Sequence, residues 1–192
     1  FHVCCCHFNL LRKMLRCYLT DRRLLREESL EQAILRLAPS VDWIQLREKD
    51  LPARELLRLA SLAPAKVIVN SRMDVALAAC ARGLHLPAGS APPRWWRRLA
   101  PKGFQIGVSC HTVEEVRQAE VDGADYVYFG PVFAPLSKSS DLVPRGLEGL
   151  EAAARAVSIP VLALGWITFD KADSCVAAGA AGIAGISLFQ LA

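Results

Sequence analysis

From Cys17 onward, short apolar runs alternate with amphipathic stretches. The runs are rich in Val, Ile, Leu and Tyr, which predicts strands. They are "CYLT" (17–20), "VDWIQL" (41–46), "KVIVN" (66–70), "GLHL" (83–86), "QIGVS" (105–109), "DYVYFG" (125–130), "PVLALG" (160–165) and "GIAGIS" (182–187). Between them, helical spacing covers 29–38, 52–62, 73–81, 93–99, 113–122, 147–157 and 169–178. Ser29, Thr112 and Thr168 stand at helix starts, each followed by acidic or amide residues within three positions. Such side chains cap the first free amides. Gly123 and Gly179 stand where helices should stop. An eighth helix has only the five residues after Ser187.

Strands alternating with helices imply a parallel sheet, and eight strands is the number that closes one. The expected fold is therefore α/β, a single (β/α)8 TIM barrel with eight parallel strands. A doubly wound open sheet is the alternative, but no GxGxxG turn follows the first strand. "LVPRG" (142–146) has the look of a protease linker, yet a helical pattern continues straight from it. It is read as the loop before helix 6.

With 192 residues, 53% of them hydrophobic, the chain can bury one large core. A barrel domain is expected over 14–192, preceded by an N-terminal extension over 1–13. That start, "FHVCCCHFNLLRK", lacks the long apolar centre and small-residue cleavage site of a secretory signal. Three adjacent cysteines cannot easily converge on one tetrahedral metal. Seven cysteines, an odd number without CxxC spacing, indicate neither a disulfide framework nor a zinc site. A reducing cytoplasm is the expected setting. No apolar run approaches the roughly 18 residues of a membrane helix, so no membrane partner is expected. The net charge of +4 is modest, and "RWWRR" (94–98) reads as a helix face, so nucleic acid is not expected either. A small anionic substrate suits this charge.

Barrel enzymes place their chemistry at the C-terminal ends of the strands. Those ends carry Gln45, Arg47 and Lys49; Asn70, Ser71 and Arg72; His85; Ser109 and His111; Ser137 and Lys138; Gly165; and Gly185 and Ser187. Arg47, Lys49, Arg72 and Lys138 outnumber Glu48 and Asp50, which points to a multiply anionic substrate. Each residue has a plainer alternative: an Arg47–Glu48 rim pair, a hydrogen-bonded core His85, a loop Lys138. The loops after strands 7 and 8 are the usual phosphate cradle of this fold, where backbone amides face the anion. Glycine at 165 is expected to let phosphate approach the main chain.

The strings "YLTDR", "IQLREKD", "VNSRMDVAL", "GLHL", "IGVSCHTVEEV", "GADYVYFGPVF", "IPVLALG" and "AAGAAGIAGIS", in this order, resemble the thiamine-phosphate synthase and TenI superfamily. The resemblance runs from about Leu15 to Gln190. It implies a thiamine-biosynthesis enzyme that couples hydroxymethylpyrimidine pyrophosphate to thiazole phosphate, releasing pyrophosphate with the help of Mg2+. A homodimer remains an open alternative to a monomer. By position, Arg47, Lys49, Asn70, Ser109 and Lys138 match pyrimidine-pyrophosphate contacts, while Ser137, Gly165 and Ser187 match thiazole-phosphate contacts. Gln45 and Arg72 join the expected binding set, and Lys49 and Lys138 the expected catalytic set.

Three departures qualify that reading. Ser71 stands where the synthase pattern has a magnesium-binding aspartate, so no metal ligand is expected there. "HLPAGSAPP" offers no second aspartate, and the glycine pair of the phosphate loop is Gly165-Trp166. A neutral serine is a poor ligand for a hard cation. The TenI branch, a thiazole tautomerase that needs no cofactor, carries a histidine in the pattern matched by Ser109-Cys110-His111. Its imidazole suits proton transfer near neutral pH, so His111 is the expected catalytic base of that alternative. A third alternative is an impaired relative that binds phosphorylated ligands, with Trp166 obstructing the anion.

Overall fold

The computed structural model describes residues 14–134 and 143–190. The expected extension over 1–13, and with it the expectations for Ser137 and Lys138, lies outside the described residues. Eight parallel strands close in sequence order: β1 (Leu15–Leu19), β2 (Trp43–Leu46), β3 (Val67–Asn70), β4 (Gly83–Leu86), β5 (Gln105–Cys110), β6 (Tyr126–Phe129), β7 (Val161–Leu164) and β8 (Gly182–Gly185). The last pairs back onto the first, with Leu15 opposite Gly182 and Cys17 opposite Ala184. Closure leaves no free sheet edge, so every strand is covered on both sides.

Alternation along each strand sorts residues into two layers. Cys17, Leu19, Trp43, Ile68, Tyr126, Tyr128, Leu162 and Ala184 fill the barrel interior. Their neighbours, including Tyr18, Ile44, Val67, Val69, Leu84, Ile106, Val127, Phe129 and Ile183, belong to the larger core beneath the helices. The interior holds two tyrosines and a tryptophan because small residues face them. A Cβ on Gly107 would fall inside the Tyr126 ring, so only glycine fits opposite it.

The helices are α1 (Leu30–Leu37), α2 (Ala53–Ala60), α3 (Met73–Ala78), α4 (Pro93–Arg97), α5 (Val113–Val121), α6 (Gly146–Arg155), α7 (Phe169–Ala177) and α8 (Ser187–Gln190). Ser29 and Thr112 each close a reciprocal capping box, with Gln32 and Glu115. Thr168 begins α7 without a side-chain cap bond, unlike the expectation. The eighth helix exists as one turn. The segment before α6 is woven into the barrel: the Arg145 amide donates to the Pro131 carbonyl and the Gly146 amide to that of Val132. Arg94 and Arg97 of α4 pair with Asp122 and Asp125, which accounts for the basic cluster as a charge-paired helix face. No described helix is long and apolar enough to cross a membrane.

Candidate active site

The C-terminal ends of β2, β3 and β4 carry Gln45, Arg47, Lys49, Asn70, Arg72 and His85, with Gln45 and His85 buried inside the barrel. Gln45 is buried inside the barrel, and its Nε2 donates to Asn70 Oδ1 at 3.0 Å. Asn70 Nδ2 in turn donates to Ser71 Oγ at 3.0 Å. Gln45 Oε1 is buried without a hydrogen-bond partner. The amide chain therefore runs from the interior to a hydroxyl on the exposed rim. A cleft of about 180 Å³ beside it is lined by Lys49, Asn70, Ser71 and Arg72.

The charges at this rim divide into held and unheld. Arg22, in a 3-10 turn after β1, donates from Nη1 and Nη2 to both oxygens of Asp50 at 2.6 Å. Its Nη1 also reaches Glu48 Oε2 at 3.0 Å, and its backbone amide Glu48 Oε1 at 3.1 Å. The guanidinium holds the Asp50 carboxyl far below the usual carboxylate range. Glu48 thus pairs with Arg22 rather than with Arg47. Arg72 forks onto Asp74 at 2.9 and 2.5 Å, so its charge is shared. Arg47 and Lys49 have no carboxylate partner among the described residues.

These pairings bear on the metal question. Ser71 is neutral, Glu48 and Asp50 are both engaged by Arg22, and no group of three or more metal-binding side chains converges among the described residues. The donor set does not fit a magnesium site at this rim. Ser71 has φ 61, a left-handed backbone that asparagine and aspartate adopt more readily than most residues.

Inside the barrel, His85 is 1% exposed and both ring nitrogens are engaged. Nδ1 meets the Tyr126 hydroxyl at 3.0 Å and Nε2 the Ser109 hydroxyl at 2.8 Å. The Tyr128 ring stacks on the imidazole at 4.2 Å, and its hydroxyl contacts Cys17 Sγ at 2.8 Å. Burial, aided by the Arg47 charge, pushes the His85 pKa down to about 3. His85 is a neutral interior group, the plainer of its two sequence readings. Tyr126 and Tyr128 were not singled out by sequence reasoning. Their spacing of two on one strand, opposite Gly107 and Ser109, was the available signal.

His111 follows β5, half-buried, and its Nδ1 donates to the Gly130 carbonyl at 2.5 Å. A carbonyl only accepts, so this bond fixes the neutral tautomer and leaves Nε2 as the basic nitrogen. Glu115 accepts from the His111 backbone amide at 2.5 Å and anchors the residue at the start of α5.

The β7 loop gives Gly165 a reason other than the expected one. Its φ is 108, and an added Cβ would lie 2.6 Å from Pro131 Cα and 3.0 Å from the Val132 amide nitrogen. The β6 loop, bonded to it through Val132 N to Leu164 O and Phe133 N to Gly165 O, occupies that space. Packing and backbone conformation already demand glycine at 165, whether or not an anion also approaches it. Trp166 also has a left-handed backbone, φ 48, and is 41% exposed. Ser187 opens α8 at the end of β8.

Comparison with known proteins agrees with this architecture. A family model described as "Thiamine monophosphate synthase" matches residues 17–189. The chain is 42% identical to "Putative thiamine-phosphate synthase 2" of Aquifex aeolicus, covering 89% of this chain and 95% of that protein. It is 47% identical to the "Thiamine-phosphate synthase" of Moorella thermoacetica, covering 79% and 75% of the two. Among solved structures, thiamine phosphate pyrophosphorylase from Pyrococcus furiosus superposes with a TM-score of 0.82 at 35% identity, over 95% of this chain and 90% of that one. A closed eight-stranded barrel, a cationic rim at its C-terminal mouth and a family match spanning nearly all the strands place this chain in the thiamine-phosphate synthase and TenI family.

Proposed function

We propose that this protein joins a pyrimidine methyl pyrophosphate to thiazole phosphate, forming thiamine phosphate. The carrying observation is the pair of cations Arg47 and Lys49, without carboxylate partners among the described residues, beside the Gln45–Asn70 amide chain. In this reading the carbon–oxygen bond between the pyrimidine methylene and pyrophosphate breaks, and the electron pair leaves with pyrophosphate. The thiazole nitrogen then supplies the pair for the new carbon–nitrogen bond. Little proton transfer is needed. The barrier falls through fixed positive charge on the departing anion, which is strongest where water is scarce. Arg47 and Lys49 hold the pyrophosphate, Asn70 and Ser109 orient it, and Gly165 and Ser187 receive the thiazole phosphate. Arg72 acts with reduced charge because Asp74 shares it. Ser137 and Lys138, outside the described residues, keep the roles that the resemblance implies. Magnesium, implied by the family, enters no step, because the rim residues do not fit it.

A second reading is favoured by one observation, the fixed tautomer of His111. A basic Nε2 at the end of β5 suits proton removal from a thiazole carboxylate phosphate during aromatisation. The deciding experiment supplies both synthase substrates, with magnesium or with EDTA, and follows thiamine phosphate. Slow coupling that survives EDTA supports the first reading. Absent coupling together with thiazole aromatisation supports the second, and neither activity would leave a ligand-binding relative.

A further inference from the structure

Cations and carboxylates crowd one small space beside the barrel mouth. A cleft of about 100 Å³ is lined by Asp21, Arg23, Arg47, Glu48, Lys49 and Asp50. Glu48 and Lys49 also line the cleft beside Asn70 and Ser71. Whether Arg47 and Lys49 are available to an anion therefore depends on what takes the carboxylates. Alternation beyond β2 begins the separation. Trp43 lies in the barrel interior, Ile44 and Leu46 under the helices, so Arg47 follows the interior side and Glu48 the other. Besides burial, the Arg47 charge depresses the His85 pKa, which agrees with that placement.

Arg22 completes the separation. The turn that carries it is fastened from two sides. The buried Thr20 hydroxyl accepts from the Arg47 amide at 2.9 Å, and the Asp21 carbonyl accepts from Gln190 Nε2 at 3.0 Å. From there one guanidinium reaches Glu48 and both oxygens of Asp50, and Arg23 adds a contact to Asp50 at 3.0 Å. The Glu48 side chain is 3% exposed. A buried carboxylate stripped of its cation is costly and turns to another cation within reach. The other cations lining this cleft are Arg23, Arg47 and Lys49.

We infer that Arg22 is a positioning residue: by taking Glu48 and Asp50 it keeps Arg47 and Lys49 unpaired for a multiply ionised anion. Arg22 itself does not touch that anion. An exposed ion pair contributes little to stability, so the fork onto Asp50 acts chiefly on the balance of charge at the mouth. The use of Arg47 and Lys49 on pyrophosphate rests on the proposed synthase reading, whereas the sorting of charges by Arg22 does not.

Calorimetric titration of the full chain with inorganic pyrophosphate tests this, with circular dichroism to check that each variant folds. Arg22→Met should weaken binding at least tenfold, about 1.4 kcal/mol, because the released carboxylates then pair with Arg47 and Lys49. The triple variant Arg22→Met/Glu48→Gln/Asp50→Asn removes those competitors as well. It should bind within about threefold of wild type, a rescue that only coupled residues give. A triple variant tenfold weaker than wild type would mean that Arg22 touches the anion or merely holds its loop, and would overturn the inference. So would wild-type affinity in Arg22→Met, or no pyrophosphate binding by the wild type. Should Arg22→Met fail to fold, the triple variant alone decides, since it lacks Arg22 yet strands no carboxylate. The readout needs no turnover. Rescue in a protein that does not couple the two substrates removes the synthase reading alone, and coupling with unchanged kcat/KM in Arg22→Met removes this inference alone.

Discussion

The Cβ that Gly165 lacks would sit 2.6 Å from the Cα of Pro131. Two loops, from β6 and β7, meet at this contact and bond to each other through main-chain groups. Gly165→Ala should therefore destabilise the fold even without ligand. Left-handed backbone and overpacking together predict a loss of about 2–5 kcal/mol. A lowered urea midpoint with an unchanged slope would bear this out. Wild-type stability in the variant would return Gly165 to a purely ligand-facing role.

His85 predicts a pH dependence of stability. Its folded pKa, about 3, lies below the ordinary histidine value of 6.5. Below pH 6.5 the unfolded chain takes up a proton that the folded one refuses. Its contribution is therefore complete above pH 6.5 and declines as pH falls toward 3. The slope for one such group approaches about 1.4 kcal/mol per pH unit. His85→Gln should flatten the unfolding free energy between pH 6.5 and 4.5, measured by urea titration. An unchanged slope would mean that protonation of other groups dominates.

Ser71→Asp should create magnesium affinity that the wild type lacks. The backbone there already has φ 61, which aspartate tolerates, and Asn70 is positioned beside it. Glu48 and Asp50 cannot substitute without releasing Arg22. Calorimetry with magnesium chloride should show binding in the variant, together with faster coupling. Robust wild-type coupling abolished by EDTA would show that the pairing with Arg22 opens to admit the ion.

If tautomerisation is the activity, His111→Ala should slow it by about 10²–10⁴-fold, the usual contribution of a general base. His111→Gln should fare no better, because an amide nitrogen is not basic. Unchanged aromatisation of thiazole carboxylate phosphate in either variant would remove His111 from the mechanism.

These residues also show what local sequence can carry. The eight strands were legible because each is a short apolar run between polar helices, and their ends shifted by at most two residues. Strand ends told which side chains share the mouth. Pairing across the barrel was not legible. Arg22 captures Glu48 and Asp50 from 26 and 28 positions away, and Tyr126 meets His85 across 41. No periodicity encodes such contacts, since they arise only when the sheet closes. The sequence therefore counted the rim charges without showing which of them pair. The packing need for glycine at 165 was hidden for the same reason: its neighbour Pro131 is close in space and remote in sequence.

That distinction sharpens the last prediction, which concerns Trp166. Gly165 is required by packing, so it carries little information about a ligand. Trp166 is different: its backbone has φ 48 and its indole is 41% exposed. Strand alternation makes no core demand for a ring there. A large residue in this conformation costs about 1–2 kcal/mol relative to glycine. Glycine loses about 0.5–1 kcal/mol of that advantage through its freer unfolded chain. Trp166→Gly should consequently change stability little, within about 1 kcal/mol. Its effect should appear in binding if the indole covers the loop amides that would receive an anion. Thiazole phosphate should bind the variant at least tenfold more tightly, about 1.4 kcal/mol. Calorimetric titration of both proteins, alongside urea unfolding, separates the two effects. Equal affinities would show that the ring swings clear of the amides, and the case for an obstructed phosphate site would fall with it.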